Sequence, residues 1–211
     1  MTDHTEAIDV DVLSGAQIAP FLDQLAQLRL TVFREWPYLY EGDLDYERDY
    51  LRVYLQSLQS VFVLARLAGS GKVIGCATGI PLADESADIR GEFDRVGIDT
   101  AKIFYFGESV LLGDYRGRGL GHRFFDGREG HAASLGGFSH TVFCAVDRAT
   151  DDPRRPPGAR DLGGFWGQRG YRRHPHLAAH ISWPELGSVE SKPHRLSIWS
   201  RPLDGHRAEW E

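Results

Sequence analysis

The sequence predicts a single α/β domain built on a mixed sheet with helices on both faces. Three observations carry this expectation. Segments of alternating hydrophobicity interleave with segments of helical spacing. Some successive strands are joined by short turns and others by helices, so hairpins and crossovers share one sheet. A glycine-rich turn also leads from a long apolar strand into a helix. The predicted order is β-α-α-β-β-β-α-β-α-β-β, over residues 1–211 as one domain.

Each element has a local reason. Ala7 to Leu13 alternates as a strand. Phe21, Leu22, Leu25, Leu28, Val32 and Phe33 then recur at helical spacing. Ser14 and Gln17 resemble a capping box, but Pro20 would fall too deep inside a helix begun there, so the helix is placed from Pro20 to before Pro37. Asp43 caps a second helix whose apolar face is Tyr46, Tyr50, Leu51, Tyr54, Leu55 and Leu58. "SVFVLARL" and "VIGCATGIPL" form a hairpin around the turn "AGSGK". "ADESADIRGEFDRVGID" is a polar surface helix or loop, and "KIFYFGESVLL" is one long strand. After the glycine turn a helix runs to about Leu135, followed by the strand "FSHTVFCAV". "DRATDDPRRPPGARD" is a loop within the domain, because strand-helix-strand patterning continues past it. "LGGFWGQRGY" is a short helix stopped by Gly170, and "HLAAHISW" and "HRLSIWSRPL" are closing strands joined by a loop from Pro184 to Pro193.

Composition narrows the function classes. The chain is 42% hydrophobic and 26% charged, enough for a packed core. Its net charge of −6 argues against nucleic acid or an anionic membrane as a general partner. No stretch has the length of a membrane span, and the N-terminus lacks a basic-then-apolar leader, so a cytoplasmic location is expected. Two cysteines, Cys76 and Cys144, sit in apolar runs, which speaks against a disulfide framework. Scattered histidines, His174 and His176 around Pro175 included, give no metal-like spacing, and no metal is expected.

The chemistry concentrates in "YRGRGLGHRFF", Tyr115 to Phe125. A helix start leaves amide N–H groups unpaired and its dipole favours anions. Glycine lets a phosphate approach those amides, and Arg116, Arg118 and Arg123 add positive charge. The pattern is neither a P-loop nor a dinucleotide fingerprint: Gly71-Lys72 is followed by Val73, and His122 stands at the third glycine position. It fits R-x-x-G-x-G, from Arg116 to Gly121.

With that motif the chain resembles the GNAT superfamily of acyl-CoA-dependent N-acyltransferases, whose signature is a strand, [QR]-x-x-G-x-[GA] and a helix. "GFWGQRGYRR" resembles the family's later "FY-x-x-x-GF" segment, and the element order matches from Ile8 to Leu203. "FREWPYLYEGD" and "SWPELG" are similar to a bacterial branch that implies no substrate. The resemblance implies a GNAT-like, mostly antiparallel central sheet and acetyl-CoA as cosubstrate. The amides of Arg116, Gly117, Arg118, Gly119, Leu120, Gly121 and His122 would hold the diphosphate, and backbone groups of Val110, Leu111 and Leu112 would pair with the pantetheine arm. A strand amide would face the thioester oxygen.

Transfer to an amine needs a base, since an alkyl ammonium titrates near pH ~10.4. Glu108, expected on one face with Phe104, Phe106 and Val110, is the candidate; the same residue equally suits a buried pair with an arginine. The family's usual tyrosine acid is replaced by Trp166, so Tyr105, Cys144, Tyr171 or water would protonate the leaving thiolate. Cys144, flanked by Val142, Phe143, Ala145 and Val146, reads as core rather than nucleophile. "EWPYLYEGDLDYE" mixes aromatic and acidic side chains, which suits a cationic amine, with Tyr38, Tyr40 and Glu41 as its contacts; it reads equally as a helix-linking loop with aromatic anchors. Trp183 and Trp199 would close the pocket or form a homodimer contact. The expected activity is acetylation of a small-molecule primary amine. The alternatives are a non-catalytic acyl-CoA-binding module, kept open by Trp166, and a protein or peptide N-acetyltransferase.

Overall fold

The structure, a computed structural model, describes residues 6–203. Its strands are β1 (Ile8–Ser14), β2 (Val61–Leu67), β3 (Val73–Pro81), β4 (Ile103–Phe106), β5 (Ser109–Leu111), β6 (His140–Val146), β7 (Arg172–Pro184) and β8 (Ser191–Pro202). Its helices are α1 (Leu22–Phe33), α2 (Leu44–Gln56), α3 (Ala87–Asp94), α4 (Leu120–Leu135) and α5 (Gly163–Gln168). The sheet runs β1-β2-β3-β4-β6-β8-β7, with β5 also alongside β3. Every pairing is antiparallel except β4 with β6. Residues of α1, α2 and α3 pack into the core on one face, and those of α4 and α5 into the core on the other.

Several expectations are corrected at the ends of elements. Ser14 N–H does donate to Gln17 Oε1 at 2.9 Å, one arm of a capping box. The segment it begins, Gly15–Phe21, is a 3-10 helix with Pro20 inside it, and α1 starts only at Leu22. The second helix keeps its cap: Asp43 Oδ1 accepts from the N–H groups of Asp45 and Tyr46. Its apolar face is narrower than the spacing suggested, because Tyr46 is exposed and Leu58 lies beyond the helix in solvent. The polar segment after β3 does form a helix, α3, which buries Ile89 and Phe93.

The largest correction is to the long strand expected over 102–112, which the structure divides in two. Ile80 faces Tyr105 and Ala77 faces Ser109, so three steps on β3 answer to four on its partner. One extra residue has been inserted, a β-bulge at Gly107–Glu108. Thr78 sits opposite it: its carbonyl accepts from Gly107 N–H at 3.2 Å, and its own N–H donates to the Glu108 carbonyl at 3.0 Å. The bulge reverses which face each side chain takes. Phe104 and Phe106 belong to the core under α4, whereas Tyr105 and Val110 belong to the core under α1 and α2. Glu108 goes with the second set, since its carboxylate meets Arg29 on α1, and the expected face shared with Phe104 and Phe106 does not form.

Two features hold this bulge. A Cβ on Gly107 would stand 2.1 Å from Tyr54 Oη and 2.8 Å from Thr78 Oγ1, so nothing larger than glycine fits. From α4, the buried Arg128 donates to the carbonyls of Thr78 (3.3 Å), Glu108 (3.0 Å) and Phe124 (3.2 Å), and to Ser109 Oγ (2.9 Å). Burial pulls its pKa down to about 10, which still leaves it a cation at neutral pH. We expect Gly107→Ala to lower unfolding stability by about 1–3 kcal/mol, the usual cost of overpacking. Urea denaturation against wild type measures this, and an unchanged midpoint would contradict the packing described.

Candidate active site at the opening of the sheet

Beyond the bulge the sheet comes apart. β4 pairs with β6 from Ile103↔His140 to Phe106↔Phe143. After that point β5 pairs only with β3, and β6 only with β8. One edge of β5 therefore has no strand partner among the described residues, although it lies in the middle of the sheet rather than at its rim. Leu112 is not part of this free edge: its N–H donates to Ile74 and its carbonyl accepts from Tyr115. By strand alternation the peptide groups of Ser109 and Leu111 are the ones turned away from β3. The Leu111 carbonyl is met by Arg116, whose Nε and Nη2 donate at 3.1 and 3.0 Å. Ser109 is a residue that sequence reasoning missed, because only the bulge brings it to this edge.

The free edge runs directly into the glycine turn. Gly117 and Gly119 adopt φ of 79° and 78°, conformations that favour glycine, and a Cβ on either would meet open space. Gly119 is the N-cap of α4. The N–H groups of Arg116 and His122 donate to the carbonyls of Gly113 and Gly119 and are engaged within the chain. Those of Gly117, Gly119, Leu120 and Gly121 have no backbone acceptor among the described residues. The turn therefore keeps a run of amides aimed outward at a helix start, with open space above two of its glycines. Arg116 also pairs with Glu35 at 2.6 Å, which ties the turn to the end of α1.

Glu108 sits between this edge and the α1–α2 layer. Arg29 Nη1 lies 2.5 Å from Glu108 Oε2, and Arg29 Nε donates to Glu47 Oε2 on α2. All three residues are buried. The guanidinium lies over the Tyr50 ring at 4.1 Å and near Phe33 at 5.0 Å. The arginine pairing weighed as the alternative for Glu108 is thus present, and Glu108 Oε1 is left buried without a hydrogen-bond partner.

The residues considered as proton donors separate by face. Tyr105 and Cys144 belong to the core on the Glu108 side; burial pushes the Tyr105 hydroxyl well up and the Cys144 thiol up to about 12. Tyr171 is on the other side, with its hydroxyl bonded to Glu129 Oε1 and Thr141 Oγ1. Trp166 packs there too, against Phe143 and Trp199.

The segment after α1 lies against the far hairpin. Arg148 donates to the carbonyls of Pro37 (2.7 Å) and Tyr38 (2.9 Å), and Trp183 Nε1 donates to Tyr38 as well (3.1 Å). Tyr40 bridges Glu185 through the backbone. The Tyr38 ring packs between Phe33 and Trp183, and burial pushes its hydroxyl up to about 12, with the charge of Glu108 adding to the effect. Tyr40 is buried, and Glu41 turns to the surface to pair with Arg34. Tyr38 is therefore brought to the Glu108 side, and Glu41 is not. Trp183 closes over this segment and stacks on His194 at 3.8 Å, while Trp199 lies in the opposite core.

Both cysteines are buried, and burial raises both thiols. Only the thiolate is a nucleophile, so at pH 8 neither should react in the folded chain. A thiol reagent should read no fast-reacting thiol in the native protein and both cysteines in guanidinium chloride; fast native labelling at pH 8 would contradict this burial.

No protein-family model and no curated protein matches the chain. Solved structures do match. NAA60 of Arabidopsis thaliana in complex with acetyl-CoA is similar at 14% identity, over 94% of this chain and 100% of its own, with a TM-score of 0.59. A GNAT-family acetyltransferase of Staphylococcus aureus is similar at 13% identity, over 93% and 99% of the two chains, with a TM-score of 0.59. An aminoglycoside 6'-N-acetyltransferase complexed with coenzyme A is similar at 13% identity, over 94% and 99%, with a TM-score of 0.55. The mixed, mostly antiparallel sheet with helices on both faces is the fold that these acetyltransferases share with the chain.

Proposed function

We propose that the chain is an acetyl-CoA-dependent N-acetyltransferase acting on a primary amine, in our reading that of a small molecule. The observation that carries this is the free edge of β5 running into outward-facing amides at the start of α4. An extended polar chain ending in a diphosphate suits both parts at once. In this reading the amides of Gly117 to Gly121 receive the diphosphate, and Ser109 and Leu111 pair with the pantetheine arm. The similarity to proteins crystallised with acetyl-CoA or coenzyme A supports the cosubstrate.

The chemistry then falls to groups beside that edge. Glu108 Oε1, which has no protein partner, takes a proton from the acceptor's ammonium. The neutral amine attacks the thioester carbonyl, an amide at the free edge steadies the oxyanion, and as the C–S bond breaks the thiolate takes the proton that the acylated nitrogen sheds, relayed by Tyr105. Tyr105, held neutral by burial, is our candidate donor to the thiolate. Tyr38 and Tyr40 are assigned as acceptor contacts, with Glu41 at the outer margin.

A second reading, an acyl-CoA-binding module without turnover, is favoured by one specific observation: Glu108 is already paired with Arg29. The two readings differ in one assay. Acetyl-CoA should raise the melting temperature, corresponding to roughly 2.7 kcal/mol at a hundredfold excess over Kd. Free thiol should then appear with at least one member of an amine panel. Glu108→Gln should keep the thermal shift and lower kcat by about 10²- to 10⁴-fold. A thermal shift with no thiol release on any amine would establish the binding module instead. Gly119→Glu should abolish the shift, whereas Gly119→Ala, under the same backbone strain but without the anion, should retain part of it. An unchanged shift in Gly119→Glu would place the diphosphate elsewhere.

A further inference from the structure

The pairing of Glu108 is asymmetric. Arg29 reaches one carboxylate oxygen, Oε2, and the other has no hydrogen-bond partner, as is also true of Oε1 of Glu47, the second acid that Arg29 meets. The guanidinium does not belong to Glu108 alone, because its Nε is given to Glu47. One buried cation therefore lies between two buried carboxylates, and the group carries one net negative charge. Tyr50, from the same helix as Glu47, lies under the guanidinium plane and fixes its tilt. Each component comes from a different part of the fold: Arg29 from α1, Glu47 and Tyr50 from α2, and Glu108 from the bulge.

Joining α1, α2 and the sheet takes both acids, and the shared cation has an electrostatic consequence as well. A second carboxylate on the same cation divides its field, so Glu108 feels less than a full positive charge. Other titratable groups around Glu108 are Tyr38, Tyr50 and Tyr54, Cys76, Glu85 and Arg128. Burial raises the tyrosines and Cys76 and keeps them neutral near pH 7. Arg128 is bonded to main-chain carbonyls, Glu108's own included, and Glu85 accepts from Tyr54 at 2.9 Å. Arg29 is thus the charge that meets the Glu108 carboxylate at contact distance, and Glu47 is the acid that shares it.

We infer that Arg29 is a positioning residue for Glu108, holding Oε2 so that Oε1 faces the acceptor, and that Glu47 sets the basicity of Glu108 by drawing part of the Arg29 charge to itself. This rests on the reading of Glu108 as the base.

The two neighbours make opposite predictions. Removing a cation beside a carboxylate favours its neutral form, and removing an anion favours its charged form. Arg29→Gln and Glu47→Gln should move the Glu108 midpoint in opposite directions. The midpoint can be read without an acceptor, from the side-chain carboxyl carbon resonances of ¹³C-glutamate-labelled protein, with the Glu108 signal identified by its loss in Glu108→Gln. With acetyl-CoA and the fastest amine of the panel, the acidic limb of kcat should move the same way in each variant. Arg29→Lys should restore part of kcat lost in Arg29→Gln, with KM for acetyl-CoA unchanged throughout.

If Arg29→Gln does not fold, Glu47→Gln decides, since it leaves the Arg29–Glu108 contact in place. A Glu108 midpoint that stays put in the folded variants would overturn the inference, and activity that merely followed the folded fraction would assign Arg29 to the scaffold. Undiminished turnover by Glu108→Gln would instead remove the base reading itself. The two failures are therefore separable.

Discussion

The architecture of the site depends on a buried arginine, Arg128, that has no ion pair among the described residues. Arg128 gives its donors to main-chain carbonyls and one hydroxyl, and its plane lies over Phe106 at 4.2 Å and Phe125 at 4.8 Å. Desolvating a guanidinium is costly, and only several well-placed acceptors offset it. Those acceptors exist because the bulge turns the Thr78 and Glu108 carbonyls toward α4. The bulge in turn keeps its shape because the arginine satisfies them. Through these bonds the helix that begins at the glycine turn and the strand that bears Glu108 are held in one mutual position.

From this follow the two properties the proposed chemistry uses. The inserted residue ends the pairing with β6 and leaves the β5 edge without a neighbour inside the sheet. It also moves Glu108 from the α4 face to the α1–α2 face, where it meets Arg29, which Glu47 shares. The amides of the glycine turn thereby follow the free edge of β5, and the Glu108 carboxylate precedes it on the α1–α2 face. A regular strand could not place them so, because alternation would have kept Glu108 with Phe104 and Phe106.

Much of this was legible in the residues. Hydrophobic period located the strands and the two amphipathic helices, since burial of one face is written in spacing. The glycine turn was legible because left-handed backbone at Gly117 and Gly119 has few other solutions. What could not be read was the bulge: Gly107 inside an apolar run hinted at it, but an insertion is a relation between two strands, visible only once Thr78 stands opposite. Ser109 and the face of Glu108 were misjudged for that reason. The partners of Glu108 were hidden by distance, because nothing local links Arg29 to Glu47 or either to residue 108. The 3-10 start before α1 shows a local contest, in which the capping arm at Gln17 and the ring of Pro20 are both accommodated by tighter winding.

The segment carrying Tyr38 and Tyr40 is fastened through its backbone as well as through its buried rings. Arg148 and Trp183 hold the carbonyls of Pro37 and Tyr38, and the Tyr40–Glu185 bridge is also main-chain. Exchanging the phenols for other side chains would leave these anchors in place. Under our reading of Tyr38 and Tyr40 as acceptor contacts, descendants of such a chain could change the molecules they accept while inheriting an unaltered main-chain attachment. The replacements that cost least in stability would be those that fill the same buried volume.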